Sequence, residues 1–284
     1  MSTSVTEAFV TQFERDVHEA FQRTGSHLRD SIRRQTGVIG ESTTFEVVGT
    51  GTATTKARHG TITPMNQTHT SVSCTLSDFY AGDWCDKLDK LKMYIDERMA
   101  IANGGAYALG RKIDDQILTA MDGTSQTTVS WTVSSSAAIR NAMLEMCEAL
   151  DSNDVPDDGM RYGVLSPVAW SMAMTVEEFA SQDYVGADGL PYKQGYRKWR
   201  EWNGTKWCKH SGVPGVGTAT SKVFVWHSSA VGYAEGADIT SDITWHGDRA
   251  AHFINNMMSG GACLIEDAGV IEGNLDDTAS LPTS

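Results

Sequence analysis

The sequence predicts a mixed α+β chain, elongated rather than spherical, and three observations predict it. A Gly/Thr-rich ribbon occupies residues 41–77, a long helical period of apolar residues runs from Asp86 to Asp122, and helices alternate with strands from 135 to 234. With 284 residues, 40% of them hydrophobic and 21% charged, the chain is long enough for one elaborate domain or two compact ones.

Residues 1–40 read as an amphipathic helix followed by an arm. Ser4 and Glu7 stand at capping-box spacing, and Phe9, Phe13, Val17 and Phe21 recur every fourth residue on one helical face. That stripe has to be covered, by the chain's own core or by a neighbouring subunit. In residues 41–77, Phe45 and Val47 alternate with polar neighbours, as do Val72, Cys74 and Leu76, so both flanks read as strands. Between them lie Gly49, Gly51, Gly60 and many small hydroxyl residues. A two-stranded ribbon is marginal alone in water. No internal partner for it is evident, so another subunit is expected to cover it.

The strongest period belongs to Leu88, Leu91, Ile95, Met99, Ala102, Ala106, Leu109, Ile113, Ile117 and Met121, three or four apart throughout. Asp89, Lys92, Asp96, Asn103 and Asp114 lie opposite, and the pair Asp114-Asp115 reads as a solvated helix face. Asp122-Gly123 supplies the stop. Unbroken, these 37 residues would extend roughly 55 Å, against about 50 Å across a compact globule of this length. Gly104, Gly105 and Gly110 each cost about 1 kcal/mol in a helix interior, which predicts close backbone contact or a kink.

The segment 135–234 reads as an α/β lobe: a helix over 137–150, a strand over 161–165, a helix over 167–179 with Pro167 in its first turn, and a strand over 222–226. The chain then returns through 239–271, where HFINNMM and ACLIEDAGVI read as two strands joined by Ser259-Gly260-Gly261. The tail from Asp276 to Ser284 is polar.

Charge and motifs narrow the function. The 23 Lys+Arg against 36 Asp+Glu, a net charge of −13, exclude a uniformly basic duplex-DNA binder. No apolar run is long enough for a membrane span. The start at Met1 lacks the regions of a signal peptide. Five scattered cysteines with no C-x-x-C predict reduced thiols and an intracellular, soluble protein. The histidines form no H-E-x-x-H, Cys208-x-His210 has no second pair, and G-x-S-x-G is missing. Gly49 to Lys56 fails the phosphate-loop spacing. No catalytic residue, cofactor or metal is expected.

Two charged features remain. Lys56, Arg58 and His59 sit near the expected hairpin tip, whereas residues 235–284 carry nine acids against the single base Arg249. A basic tip meeting an acidic patch on a neighbour would set register more than affinity. The stretch Tyr192–His210 interleaves Tyr196, Trp199, Trp202 and Trp207 with Lys193, Arg197, Lys198, Arg200, Lys206 and Lys209. Such a stretch suits either a single-stranded nucleic-acid platform or the anchors of a subunit interface. The acidity of the remaining chain favours the interface, with Arg197, Trp199, Arg200 and Trp202 as its contacts.

The order of arm, ribbon, long helix, α/β lobe and strand-rich return resembles the major capsid proteins of tailed bacteriophages, with the Hong Kong 97-type fold. The local match lies in TQFERDVHEAFQR, GTGTATTKARHGTITPMNQ, DFYAGDWCDKL and YIDERMAIANGGAYALGRKIDDQILTAMDG. The resemblance implies an N-terminal arm (1–40), an extended loop (41–77) lying across the neighbouring subunit, and a peripheral domain with a spine helix (78–134). An axial domain (135–234) and a return to the peripheral and axial sheets with the tail (235–284) complete it. It implies a non-enzymatic subunit of pentamers and hexamers in an icosahedral virion shell, assembled in the host bacterial cytoplasm around double-stranded DNA. The implied partners are further copies of the chain, a separate scaffolding protein, a portal and a decoration protein, with no membrane. Lys56, Arg58 and His59 at the loop tip and Phe9, Phe13 and Phe21 in the arm become intersubunit contacts. Some relatives join a loop Lys to a peripheral Asn covalently; Lys56 with Asn255 or Asn256 has the right residue types. The alternative is a single-stranded nucleic-acid-binding accessory protein using residues 192–210.

Overall fold

The computed structural model describes residues 25–88, 97–181 and 198–281. Phe9, Phe13, Phe21 and Arg197 lie outside the described residues. In chain order, a 3₁₀ turn at Arg29–Ser31 leads to β1 (Arg33–Thr36), β2 (Ser42–Val48), β3 (His69–Thr75), β4 (Ser77–Asp86) and the long helix α1 (Glu97–Met121). Then come β5 (Val129–Ser130), α2 (Ser136–Ser152), β6 (Arg161–Leu165), α3 (Pro167–Ala173), α4 (Glu177–Ala180), β7 (Arg200–Trp202) and β8 (Thr205–Lys209). The chain closes with β9 (Ser221–His227), β10 (Val231–His246), β11 (Ala251–Leu264) and β12 (Val270–Leu275).

Three sheets result. β1, β10, β11 and β4 form a four-stranded sheet in that order, with β1 parallel to β10 and the other pairs antiparallel; α1 lies across it. A six-stranded sheet runs β5-β12-β9-β6-β8-β7, and β5 and β12 join it from outside the 135–234 span. The ribbon is the third sheet, β2 with β3, in register from Ser42 opposite Thr75 to Val48 opposite His69.

The two-residue strand period explains how the six-stranded sheet buries both faces. Along β9, Val223 and Val225 point into a core beneath α2 and α3 with Ile139, Met143, Leu150 and Phe179. Their neighbours Phe224 and Trp226 point the other way, into a core shared with Leu109, Ile113, Ile117 and Met121 of α1. The second core also takes Leu28, Val231 and Tyr233, so one end of α1 couples both large sheets. Ser135 caps α2 and Ser166 caps α3, each accepting a backbone N–H, and Pro167 sits where no N–H is needed.

Several sequence expectations change. The helical period does not begin at Asp86, because 77–86 is a strand. Phe79 and Ala81 turn inward and Asp78 and Tyr80 outward, a two-residue alternation obscured by Gly82 and Asp83. In α1 the fully buried stripe begins at Leu109, while Met99 is exposed. Of the three helix glycines, a Cβ on Gly105 would lie 2.0 Å from the Asn256 amide nitrogen, and one on Gly110 would lie 2.7 Å from the Gly25 backbone. These two serve close approach, as expected; Gly104 has open space around it. Ser259-Gly260-Gly261 is no turn but the middle of one continuous strand, since a side chain at Gly260 would strike the Tyr233 hydroxyl and one at Gly261 the Thr75 carbonyl. The helix expected over 167–179 breaks after Ala173: the backbone turns extended at Val176 before a short helix resumes at Glu177, and Val176 and Phe179 both enter the core.

Candidate assembly surfaces

The ribbon divides into a buried root and an open tip. At the root, Phe45 (2% exposed) and Cys74 (1% exposed) sit on Ala234 and Ile265, with Val38, Val47 and Leu76 packed around them. The Arg33 guanidinium lies 5.5 Å above the Phe45 ring. The expectation that the ribbon has no internal partner is therefore corrected for its root: the alternation that marks the strands also supplies one buried residue on each. Beyond Gly49, whose N–H donates to Thr68 O at 2.8 Å, every residue from 50 to 71 is exposed.

The tip is a tight turn closed by Gly60 N–H donating to Ala57 O at 2.9 Å. Arg58 and His59 occupy its centre, His59 with φ 67°, in the left-handed region that a non-glycine residue adopts mainly in turns. Lys56 reaches back to Gly60 O at 3.5 Å. Lys56, Arg58 and His59 are thus brought together on an exposed turn. Ile62 nearby is 74% exposed, and Met65, half exposed, lies against Gly51 on the opposite arm of the loop.

The acids of 235–284 are distributed differently from the single patch that their density suggests. Glu235 and Asp238 accept from Arg29 at 2.6 and 3.0 Å, Glu272 pairs with Lys222 at 3.2 Å, and Asp277 accepts from Ser166 Oγ at 2.7 Å. Asp267 accepts from Thr124 and Ser125, including the Ser125 backbone N–H at 2.9 Å, and from Gln126 Nε2 at 3.0 Å. Despite partial burial, these donors bring its pKa down to about 2. Among the described residues, Asp242 and Asp248, toward the far end of the β10–β11 hairpin, have only long local contacts, to Thr244 at 3.5 Å and His246 at 4.0 Å.

That far end also carries an aromatic cluster, which the sequence reading missed. Trp84 packs on Phe253 and His246 at ring separations of 4.7 and 5.0 Å, and Trp245 on His252 at 4.9 Å. The Arg249 guanidinium covers Trp84 at 4.4 Å and Lys87 approaches Trp245 at 5.8 Å. Ile243 and Trp245 remain about half exposed. The cluster joins β4 to β10 and β11 through long-range register, so no local pattern announces it.

Where the arm enters the body, Asp114 is fully buried, contrary to its reading as a solvated helix face. It accepts from Ser26 Oγ at 2.6 Å and from the backbone N–H groups of His27 and Leu28 at 3.0 Å each. His210 Nδ1 accepts from Gly212 N–H at 3.1 Å, so its Nε2 proton faces Asp114, at 3.0 Å. Burial alone would raise the Asp114 pKa; these donors hold it below the ordinary carboxylate value instead. One carboxylate therefore ties the arm's exit to α1 and to the end of β8.

The tryptophan-rich stretch serves the lobe's interior. Trp207 is fully buried over Gly163, Trp202 donates to Glu178 O at 3.2 Å, and Trp199 packs between Tyr162 and Trp226 at 5.0 and 6.5 Å. Arg200 lies 4.3 Å from the Phe179 ring and donates to the Phe179 carbonyl. Among the described residues of the stretch, these rings pack on the lobe itself rather than standing out as a platform for a nucleic-acid strand. Asn256 is also buried: Ser241 donates to its carbonyl oxygen and its amide donates to Ala81 O at 3.2 Å. Its geometry is that of a structural side chain, not of an open acceptor for Lys56.

A family model described as phage capsid protein matches residues 5–277. The chain belongs to the phage capsid protein family. No curated protein matches it. Among solved structures, the capsid of the cyanophage P-SCSP1u is 17% identical with a TM-score of 0.76, covering 98% of this chain and 96% of that one. A chain from Mycobacterium phage Che8 is also 17% identical, with a TM-score of 0.73 and coverage of 96% and 98%. The capsid of Ralstonia phage GP4 is 10% identical, with a TM-score of 0.73 over 100% and 99%. At these identities the structures establish the fold, and the family establishes the role. The protein is a structural subunit of a phage head shell and not an enzyme. Its place is the virion capsid, and its partners include further copies of itself.

Proposed function

We propose that the chain builds pentamers and hexamers of an icosahedral shell enclosing double-stranded DNA, with the ribbon of one copy lying on the next. The single observation that carries this is the ribbon's division: a root packed by the chain itself and a tip from 50 to 71 that no described residue covers. Lys56, Arg58 and His59 are the charged contacts of that tip. Asp242 and Asp248 on the neighbour have the complementary charge and weak ties of their own. Phe9, Phe13 and Phe21 of the arm and Arg197 are contacts to neighbouring copies, and Trp199, Arg200 and Trp202 brace the lobe near its contact with sister copies. The aromatic end of the β10–β11 hairpin is a further contact, of the residue types that anchor interfaces. A separate scaffolding protein, a portal and a decoration protein complete the assembly in the host bacterial cytoplasm.

Deleting residues 50–61 tests the clamp. A folded protein by circular dichroism that forms no shells in negative-stain microscopy is expected. Shells of ordinary size and number from the deletion protein reject it.

A further inference from the structure

Two of the five cysteines meet at the ribbon's root. Cys74 on β3 is buried, and Cys263 on β11 packs half-buried against the same small core of Phe45, Ala234 and Ile265. The backbone sets this approach. A Cβ on Gly261 would sit 2.0 Å from the Thr75 carbonyl, so β3 runs hard against β11 there. Cys263 lies two residues beyond Gly261 and projects from the same face of the strand. Cys74 Sγ donates to the Gly261 carbonyl at 3.3 Å, and both Cys74 and Cys263 pack in the one small cluster with Phe45, Ala234 and Ile265. The other three, Cys85 on β4, Cys147 on α2 and Cys208 on β8, are buried elsewhere in the fold.

We propose that Cys74 and Cys263 are an intrachain dithiol that a small peroxide closes to a disulfide, fastening the ribbon's root to the four-stranded sheet. The neighbouring Cys263 thiol holds the Cys74 thiol below its ordinary pKa, while the nearness of Cys74, with burial, pushes Cys263 up. Cys74 is therefore the first to ionise and the nucleophile. Its thiolate attacks one peroxide oxygen, the O–O bond breaks, and the leaving hydroxide takes up the proton that the thiol released, giving a sulfenic acid and one water. The Cys263 sulfur then attacks the Cys74 sulfur. The S–S bond forms, the S–O bond breaks, and the Cys263 proton departs with the hydroxide as a second water. Two thiols are oxidised by two electrons and one peroxide is reduced to two waters. The closed bond spans most of the chain, so it restricts the unfolded state more than the folded one. The site concerns one chain and does not depend on where the tip docks.

The test treats the full-length protein with hydrogen peroxide, alkylates it, and maps tryptic peptides without reduction. Loss of two of the five thiols, a linked Cys74–Cys263 peptide, and a melting temperature that rises by several degrees and falls back with reductant are expected. Cys263→Ser, at the less buried partner, removes the linked peptide and the rise, whereas Cys85→Ser keeps both. A pair that stays reduced while circular dichroism shows a native fold overturns the proposal. So does a link that joins other cysteines or two chains, or oxidation that stops at sulfinic acid without a linked peptide.

Discussion

The strands β9 and β2 are each seven residues long and rich in β-branched and aromatic side chains, yet they end in opposite situations. In β9, Val223, Phe224, Val225 and Trp226 are all buried, alternately on two faces, because helices and sheets of the same chain cover both sides. In β2, Phe45 is buried and most of the strand is not. Burial of apolar area contributes about 25 cal/mol per Å², so the six-stranded sheet is stabilised from within. The ribbon gains little past its root. A capsid subunit needs both conditions: a body that holds its shape alone, and an element whose free energy is completed by the next copy.

Substitutions that break the body should act on stability first. Trp207→Ala empties a buried site over Gly163 and should cost about 3–5 kcal/mol, read as a shift in the urea midpoint, with shell formation lost only as a consequence. Asp114→Asn should cost about 2 kcal/mol, since an amide turns one acceptor into a donor that faces the His27 and His210 protons. Arm and α1 should then loosen together, as increased amide exchange at His27, Leu28 and the last turns of α1.

Acid sharpens the same comparison. Asp114 and Asp267 both titrate lower in the folded protein than the ordinary value of 3.8. Their stabilisation is therefore complete above that value and is lost as pH falls, through about 2 in the case of Asp267. The melting temperature should drop as pH falls from 4 toward 2, and Asp267→Asn should flatten part of that slope. The smallest effect on the fold belongs to the tip. Lys56→Glu with Arg58→Glu should leave the melting temperature unchanged and weaken shell assembly. The deficit measured by light scattering should be largest at low salt and shrink as the screening length falls from about 10 Å at 0.1 M to about 3 Å at 1 M. Equal assembly of mutant and parent at every salt concentration would remove the charged tip from the contact.

Local pattern made the ribbon strands, the buried half of α1, α2, β6 and β9 legible, because each shows its period within a dozen residues. The assembly surfaces were legible only where they were local. Lys56, Arg58 and His59 share one turn, but the aromatic end gathers Trp84, Trp245, His246 and Phe253 from three strands. Trp199, Trp202 and Trp207 looked like surface residues because basic neighbours surround them in sequence, and the fold turned the rings inward and left Glu201 and Lys209 outside.

By itself the sequence determined the two ribbon strands, α2, β6, β9 and the buried half of α1, an uncovered ribbon tip, and a chain without the catalytic motifs named above. Only the tertiary structure decided that Asp114 is a buried tie, that Gly260 and Gly261 continue a strand, and that Cys74 meets Cys263. Periodicity is set by a residue's own backbone, whereas these three depend on which distant backbone passes within a few ångströms.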